Sequence, residues 1–257
     1  MPEIAKPTVI GASPEGASDK ASAARAVREM FTSIAPRYDL LNHVLSLNVD
    51  RMWWRRTARR FRHILVRPDA RALDLCCGTG DMTLALRRAG KCVPQIFGAD
   101  FSHAMLQRAS AKSSRLDRSR RIPSWIEADA LNLPFPSGHF DLVTSAFGFR
   151  NLADYDAGLR EIARVLRPGG ECGILDFGEP KGILGALYRM YFKQVLPRVG
   201  TVISGVRGPY AYLPASVERF PAPEEMLGRM RNAGFSDVSW TPYTFGIAGL
   251  YWGKKSQ

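Results

Sequence analysis

The chain predicts an α/β fold: a mostly parallel sheet of seven strands with helices on both faces, preceded by a helical cap. Short apolar runs alternate with amphipathic stretches from Ala72 onward, the order that builds parallel strands joined by helical crossovers. The first run, Leu73-Asp74-Leu75, breaks into the glycine turn Cys76-Cys77-Gly78-Thr79-Gly80, and a helix follows. Asp100 stands twenty residues after Gly80, at the end of the next apolar run. A glycine turn that opens a helix, with an acid at the tip of the next strand, is the pattern of a nucleoside-binding unit.

Taken in order, residues 1–24 are rich in Pro, Ala, Ser and Gly and lack a continuous apolar core. They read as a disordered arm, not a signal peptide. Ala24, Val27, Phe31 and Ile34 then recur at helical spacing until Pro36 interrupts. A second helical stretch runs from Val49 to Leu65. It puts Arg51, Arg55, Arg59 and Arg62 on one stripe, and Met52, Ala58, Phe61 and Leu65 on an apolar side. These stretches form the cap, residues 25–68.

The main domain, 69–257, opens with strand Ala72–Cys76 and helix Asp81–Ala89. Strand Cys92–Ala99 leads to helix Ser102–Arg115, with Ser102 as N-cap. Strands Ile122–Ala128 and Phe140–Ala146 come next, then helix Tyr155–Leu166. The tight turn Arg167-Pro168-Gly169-Gly170 enters strand Glu171–Phe177. An apolar insertion occupies about 181–223. Helix Glu224–Ala233 ends at Gly234, a good C-cap residue. Val238–Tyr243 and Ile247–Trp252 form a terminal antiparallel pair.

At 257 residues and 46% apolar composition, one large domain with a sizeable core is expected. No apolar run approaches the roughly 18–20 residues that span a bilayer. Cys76, Cys77, Cys92 and Cys172 show no paired C-x-x-C spacing, and sequence neighbours do not easily share a disulfide. They read as small core residues in a cytoplasmic protein, and no metal is expected. The net charge of +12 points to an anionic partner, membrane surface or nucleic acid, against the bland alternative of a solvated basic face. Nucleic acid is not expected, because the basic stretches lack interleaved aromatics apart from Trp53 and Trp54.

The turn itself selects among ligands. A dinucleotide site prefers G-x-G-x-x-G so that pyrophosphate can sit over the helix start. Here only Gly78 and Gly80 are present, and Asp81 opens the helix, where its charge opposes a pyrophosphate. S-adenosylmethionine has no phosphate and carries a sulfonium and an ammonium, which Asp74 is placed to assist. Glu127-Ala128-Asp129-Ala130, ending the third strand, offers an acid for an adenine amino group and an apolar neighbour for its ring.

In this order and spacing the segments resemble a class I methyltransferase domain of Rossmann-like fold. Such domains usually carry glycine where Cys76 stands, so the turn must tolerate a side chain there. Two further stretches narrow the resemblance: Tyr38-Asp39-Leu40-Leu41-Asn42-His43 running to Asp50-Arg51-Met52-Trp53-Trp54-Arg55, and Arg164-Val165-Leu166-Arg167-Pro168-Gly169-Gly170 running to Asp176-Phe177-Gly178-Glu179-Pro180. With Phe147-Gly148-Phe149-Arg150-Asn151 they look like the quinone-biosynthesis C-methyltransferases, over about Val27 to Gly253. The family often has His where Asp50 stands, a departure that argues against a catalytic role at position 50.

That resemblance implies S-adenosylmethionine-dependent C-methylation of a prenylated quinol. Demethylmenaquinol is the expected substrate, favoured by the Cys76-Cys77 pair; a methoxy polyprenyl benzoquinol or another small phenolic or lipid is the alternative. It carries the cofactor-contacting positions onto Thr79, Asp100, Asp129, Ala130 and Ser145, beside Asp74, Gly78 and Gly80 from the turn. Arg150 is a candidate to steady a phenolate, against a structural salt bridge. Tyr38 and Asn42, four apart on one helix face, are candidates to reach the substrate, against a packed lid. His139 reads as a solvated turn residue, and His43 ranks only slightly above it as a base.

A prenylated substrate lives in the bilayer. The arginine stripe, with Arg108 to Arg121, is suited to anionic headgroups at the inner face of the membrane. Ile183, Leu184, Leu187, Tyr188, Tyr191, Phe192 and Val195 would line a tail channel, touch lipid or form a homodimer contact.

Overall fold

The computed structural model describes residues 11–12, 14, 17–37, 46, 48–90, 95–115, 122–178, 180, 185, 190 and 209–257. Tyr38, Asn42, His43, Cys92, Arg121 and the insertion's apolar residues Ile183, Leu184, Leu187, Tyr188, Tyr191, Phe192 and Val195 lie outside them.

Seven strands form one sheet in the order β3-β2-β1-β4-β5-β7-β6. They are β1 (Arg71–Leu75), β2 (Gln95–Asp100), β3 (Ser124–Glu127), β4 (Phe140–Ala146), β5 (Leu166–Phe177), β6 (Phe235–Tyr243) and β7 (Ala248–Lys255). The pairings from β3 through to β5 are parallel, and β7 runs antiparallel to both β5 and β6. The chain leaves β1 toward β2 and β3, then crosses back to β4 on the other side of β1. Such a switch point opens a crevice at the carboxyl ends of the two central strands.

Side-chain alternation explains why both faces are covered. Leu73, Leu75 and Val143 join one core with Leu159, Ile162 and Met230. Ala72 and Leu142 face the other way, against Phe61, Leu65 and Leu86. Helices α2 (Val49–Arg60), α3 (Arg62–Leu65) and α4 (Asp81–Ala89) cover this second face. The N-terminal helices thus share the core of the sheet, with Phe61 fully buried at the break between α2 and α3. Met52, expected on the apolar side, is 51% exposed; the buried side of α2 is set by Trp53, Thr57 and Ala58 instead.

Helix α1 (Lys20–Ile34) begins at Lys20, inside the stretch expected to be a disordered arm. A capping box starts it: Asp19 Oδ1 accepts from the Ser22 amide at 2.7 Å, and the Asp19 amide donates to Ser22 Oγ at 3.0 Å. Farther upstream the Ala12 amide donates to the Leu152 carbonyl at 2.7 Å, and Ala12 is buried. Helix α5 (His103–Ser113) has Ser102 at its N-cap as expected, but the Ser102 side chain makes no capping bond. Its hydroxyl meets Thr32 of α1 at 3.0 Å, while Asp100 Oδ1 accepts from the Ser102 amide.

The expected turn 167–170 is a bulge within β5: Phe140 pairs with Leu166, and Leu142 with Glu171. Gly169 supplies the positive φ of +74° that this excursion requires. Helices α6 (Tyr155–Val165) and α8 (Pro223–Asn232) pack on the first face, with α7 (Pro209–Arg219) between them in sequence. Gly234 follows α8 at φ +94°, the left-handed residue that ends a helix.

Candidate active site

A cavity of about 590 Å³ opens at the carboxyl ends of β1 and β4, roofed by α1 and bounded on one side by α2. Most of the anticipated positions meet there. Asp74, Gly78, Thr79, Asp100, Asp129, Ala130 and Arg150 all line its wall.

The glycine turn is shaped by what lies behind it. Gly80 adopts φ +85°, and a Cβ on it would fall 2.5 Å from the Trp125 ring. Cys76 occupies the left-handed region at φ +53° despite carrying a side chain. The turn accommodates it because Gly148 faces it; a Cβ on Gly148 would come within 2.4 Å of the Cys76 Cβ. Burial pushes the thiols of Cys76 and Cys77 well above their ordinary range, which keeps them protonated and unreactive.

The two central acids are buried and differ in what they bond. Asp100 accepts from the Gly78 amide at 2.8 Å and the Ser102 amide at 2.9 Å, one on each carboxylate oxygen. Burial raises its carboxyl to about 6 against these opposing bonds. Asp100 thereby locks the turn to the tip of β2, and each oxygen retains a second acceptor direction. Asp74 is fully buried, and its oxygens accept from Thr83 Oγ1 at 2.6 Å and Thr144 Oγ1 at 3.0 Å. Burial lifts it to about 7.

Thr79 is buried, its hydroxyl bonded to Lys112 Nζ at 2.9 Å and to Asp81 at 3.3 Å. Lys112 also reaches Asp81 at 3.1 Å. Asp81 is therefore not a bare negative charge at the start of α4, as the sequence suggested, because a cation from α5 compensates it. Asp129 is exposed, with Oδ1 accepting from the Leu131 amide at 2.9 Å. Ser145 departs from expectation: it is buried on the Val143 face of β4 and is not in the cavity wall, where Ala146 stands instead. Its hydroxyl has no partner among the described residues.

Arg150 is only 5% exposed and paired with buried Asp176, Nη1 to Oδ1 at 2.9 Å. The Asp176 Oδ2 accepts from the Arg150 amide at 3.2 Å, and the guanidinium also bonds the Phe147 carbonyl and Ser216 Oγ. The structural salt bridge and the place in the cavity wall thus hold together, in one side chain. His139 lies at the amino end of β4, opposite the cavity, stacked on Phe135 at 5.8 Å; burial and Arg71 lower its pKa.

Several wall residues were not singled out from sequence. Trp53, Phe147 and Phe177 form an aromatic box, with Phe147 at 5.7 Å from Trp53 and 4.6 Å from Phe177. The Arg150 guanidinium lies 5.2 Å from the Phe177 ring centre. Trp53 Nε1 donates to Thr244 Oγ1 at 2.7 Å, which fixes the indole. Asp50 is 4% exposed in the same wall. Asn151 Oδ1 is buried without a partner among the described residues. The sequence argues against Asp50 as catalytic and marks Trp53 only as an aromatic among basic residues; Phe147, Phe177 and Asn151 carry no sequence signal beyond their place in the stretches that bear the family resemblance.

The profile of the ubiE/COQ5 methyltransferase family matches residues 18–255. The chain belongs to that family. It is 48% identical over 238 residues to the demethylmenaquinone methyltransferase of Deinococcus radiodurans, covering 92% of this chain and 95% of the relative. The enzyme of the same name from Thermus thermophilus is 48% identical, over 88% of this chain and 100% of the relative. A Geobacter sulfurreducens protein named ubiquinone/menaquinone biosynthesis C-methyltransferase UbiE is 42% identical, over 89% and 88%. Among solved structures, a SAM-dependent methyltransferase from Thermotoga maritima superposes with a TM-score of 0.59 at 17% identity, over 90% of this chain and 100% of that one. The cyclase SpnF gives 0.66 at 17% identity, over 96% and 98%. These two likenesses show the fold, which hosts more than one chemistry.

As a member of the ubiE/COQ5 family the protein is an S-adenosylmethionine-dependent methyltransferase. The wall fits that donor: buried carboxylates at the tips of β1 and β2 suit a cationic ligand, and the turn leaves room for backbone contact. Methyl transfer from a sulfonium is an in-line displacement, so the protein's task is largely to position the acceptor against the methyl.

Proposed function

We propose that this methyltransferase C-methylates demethylmenaquinol, with its ring held in the Trp53, Phe147 and Phe177 box. The observation that carries this reading is the 48% identity to demethylmenaquinone methyltransferases over nearly the full length of both chains. The box adds physical support, since three tilted or edge-on aromatic rings beside the methyl-donor turn suit a flat quinol.

In this reading Asp100 grips the ribose diol of S-adenosylmethionine through its remaining acceptor directions. Asp129, Ala130 and Leu131 face the adenine, the Gly78–Gly80 turn lies along the donor, and Asp74 supplies negative field beneath the cationic end. The contribution of Thr79 is its backbone, because Lys112 and Asp81 occupy its hydroxyl. Arg150, fixed by Asp176, presents positive charge beside the ring box and stabilises a phenolate as it forms.

The protein also makes peripheral contact with anionic membrane at the cavity mouth. Phe245 is 81% exposed, and Met52 lies beside the Trp53 that bonds Thr244. Arg51, Arg55, Arg59 and Arg62 are exposed along α2 and α3. Exposed apolar side chains together with an exposed arginine row suit insertion at a headgroup surface. Among the described residues no helix is long and apolar enough to cross a membrane.

Purified protein incubated with labelled S-adenosylmethionine and short-chain demethylmenaquinol should yield labelled menaquinol. Transfer to a methoxy polyprenyl benzoquinol alone would move the protein to the other quinone substrate, and transfer to neither would overturn the reading.

A further inference from the structure

Methylation at a quinol ring carbon begins with loss of a hydroxyl proton, and that proton needs an acceptor near the ring. Among the described residues the cavity wall contains the carboxylates Asp50, Asp74, Asp81, Asp100 and Asp129, with Lys20 and Arg150 as its cations. Four of the carboxylates belong to the donor side, at the tips of β1 and β2, the start of α4 and the end of β3. Asp74 is bonded by two threonine hydroxyls. Asp100 accepts two backbone amides at the tip of β2. Asp81 is paired with Lys112, and Asp129 turns toward the Leu131 amide at the end of β3. Asp176, behind the wall, is bound to Arg150.

Asp50 differs in position. It lies in the first turn of α2, three residues before Trp53, so the two side chains share a helix face. Both are buried, and Trp53 is one wall of the ring box. The carboxylate is steadied by the Arg51 amide, which donates to Oδ1 at 2.7 Å.

We propose that Asp50 is a catalytic residue that accepts the quinol hydroxyl proton, an inference that rests on the quinol reading above. The proton passes from the substrate oxygen to the Asp50 carboxylate. The electron pair left behind drives the ring carbon onto the methyl, and the carbon–sulfur bond breaks with its pair going to sulfur. The methylated carbon then gives its hydrogen to water while Asp50 returns its proton to the ring oxygen, so one proton is released per turnover. The place of Asp50 in the cavity wall beside Trp53 thus reverses the expectation from sequence that position 50 has no catalytic role.

The test uses full-length Asp50→Asn and Asp50→His. Asparagine should lower kcat by about 10²–10⁴-fold, the usual worth of general base catalysis, with S-adenosylmethionine affinity within about twofold. Histidine should recover turnover to within about tenfold and move the acidic limb of kcat/KM up toward about pH 6.5, its own ordinary range. A quinol analogue already ionised at the assay pH should be methylated by Asp50→Asn nearly as fast as by the parent, which a merely structural role would not produce. Asp50→Asn turning over the ordinary quinol within threefold of the parent would overturn the inference, as would an unmoved acidic limb in Asp50→His. If Asp50→Asn fails to fold, the limb in Asp50→His decides, and loss of folding in both variants counts against the proposal by marking a structural residue. Failure of the parent itself on the quinol would instead remove the substrate reading.

Discussion

A Cβ placed on Gly148 would lie 2.4 Å from the Cβ of Cys76 and 3.0 Å from its carbonyl oxygen. Cys76 is the residue that puts a side chain into the left-handed region of the donor-binding turn, at φ +53°. The glycine expected on one strand tip is absent, and its neighbour on the adjacent tip provides the space. Gly148→Ala should therefore abolish S-adenosylmethionine binding in calorimetry. Cys76→Gly should keep binding and relieve about 1–2 kcal/mol of backbone strain, and combined with Gly148→Ala it should restore part of the lost affinity. Simple additivity of the two changes would sink this account.

The buried acids predict a pH dependence. Burial raises Asp100 to about 6 and Asp74 to about 7, both above the usual carboxylate value. The ligand-free fold binds these protons more tightly than the unfolded chain. Their contribution to stability is fully present below about pH 4 and is lost as pH rises through about 6 to 7. A cationic ligand favours the ionised forms, so S-adenosylmethionine should bind more tightly at pH 8 than at pH 6 and release protons near neutrality. Calorimetry in buffers of different ionisation enthalpy measures this; zero proton release would be the contrary result.

Arg150 and Asp176 separate stability from turnover. Asp176→Ala leaves a buried guanidinium uncompensated and should cost about 3–5 kcal/mol in denaturant unfolding. Replacing the pair together, Arg150→Met with Asp176→Leu, should recover most of that stability but not methyl transfer. Recovered transfer would remove the guanidinium from the mechanism.

At the cavity mouth, Phe245→Ser with Met52→Ser should weaken sedimentation with anionic vesicles at all salt concentrations. Arg55→Ser with Arg59→Ser should weaken it mainly at low salt, because screening already suppresses the charge term at high salt. Equal sedimentation with neutral and anionic vesicles would contradict the basic surface.

Much of the architecture was legible because it depends on local pattern. Phe140–Ala146 and Asp81–Ala89 were read to the residue, since a run of apolar positions and a capped amphipathic stretch each signal themselves. The seven-stranded sheet and the antiparallel final pair followed from the same alternation. Less legible was the start of β5. Leu166 is drawn into β5 through its pairing with Phe140, a contact between distant segments. Ser102 was placed correctly as a cap position, yet its side chain makes no capping bond: the Ser102 amide donates to Asp100 and the hydroxyl goes to α1.

The order of residues alone determined the alternating α/β plan, the glycine turn, the acids at the strand tips and the likeness to the quinone methyltransferases. The plan, the turn and the acids rest on periodicity, turn chemistry and spacing, and the likeness rests on the motif stretches at Tyr38, Phe147 and Arg164; a chain carries all of these without folding. Only the tertiary structure decided that Lys112 neutralises Asp81, that Arg150 is clamped by Asp176, and that Ser145 lies off the wall. Only it gathered Trp53, Phe147 and Phe177 into one box and set Asp50 in the same cavity wall. Charge pairing and ring packing are properties of distances between residues far apart in sequence, and those distances exist once the sheet brings its strand ends together.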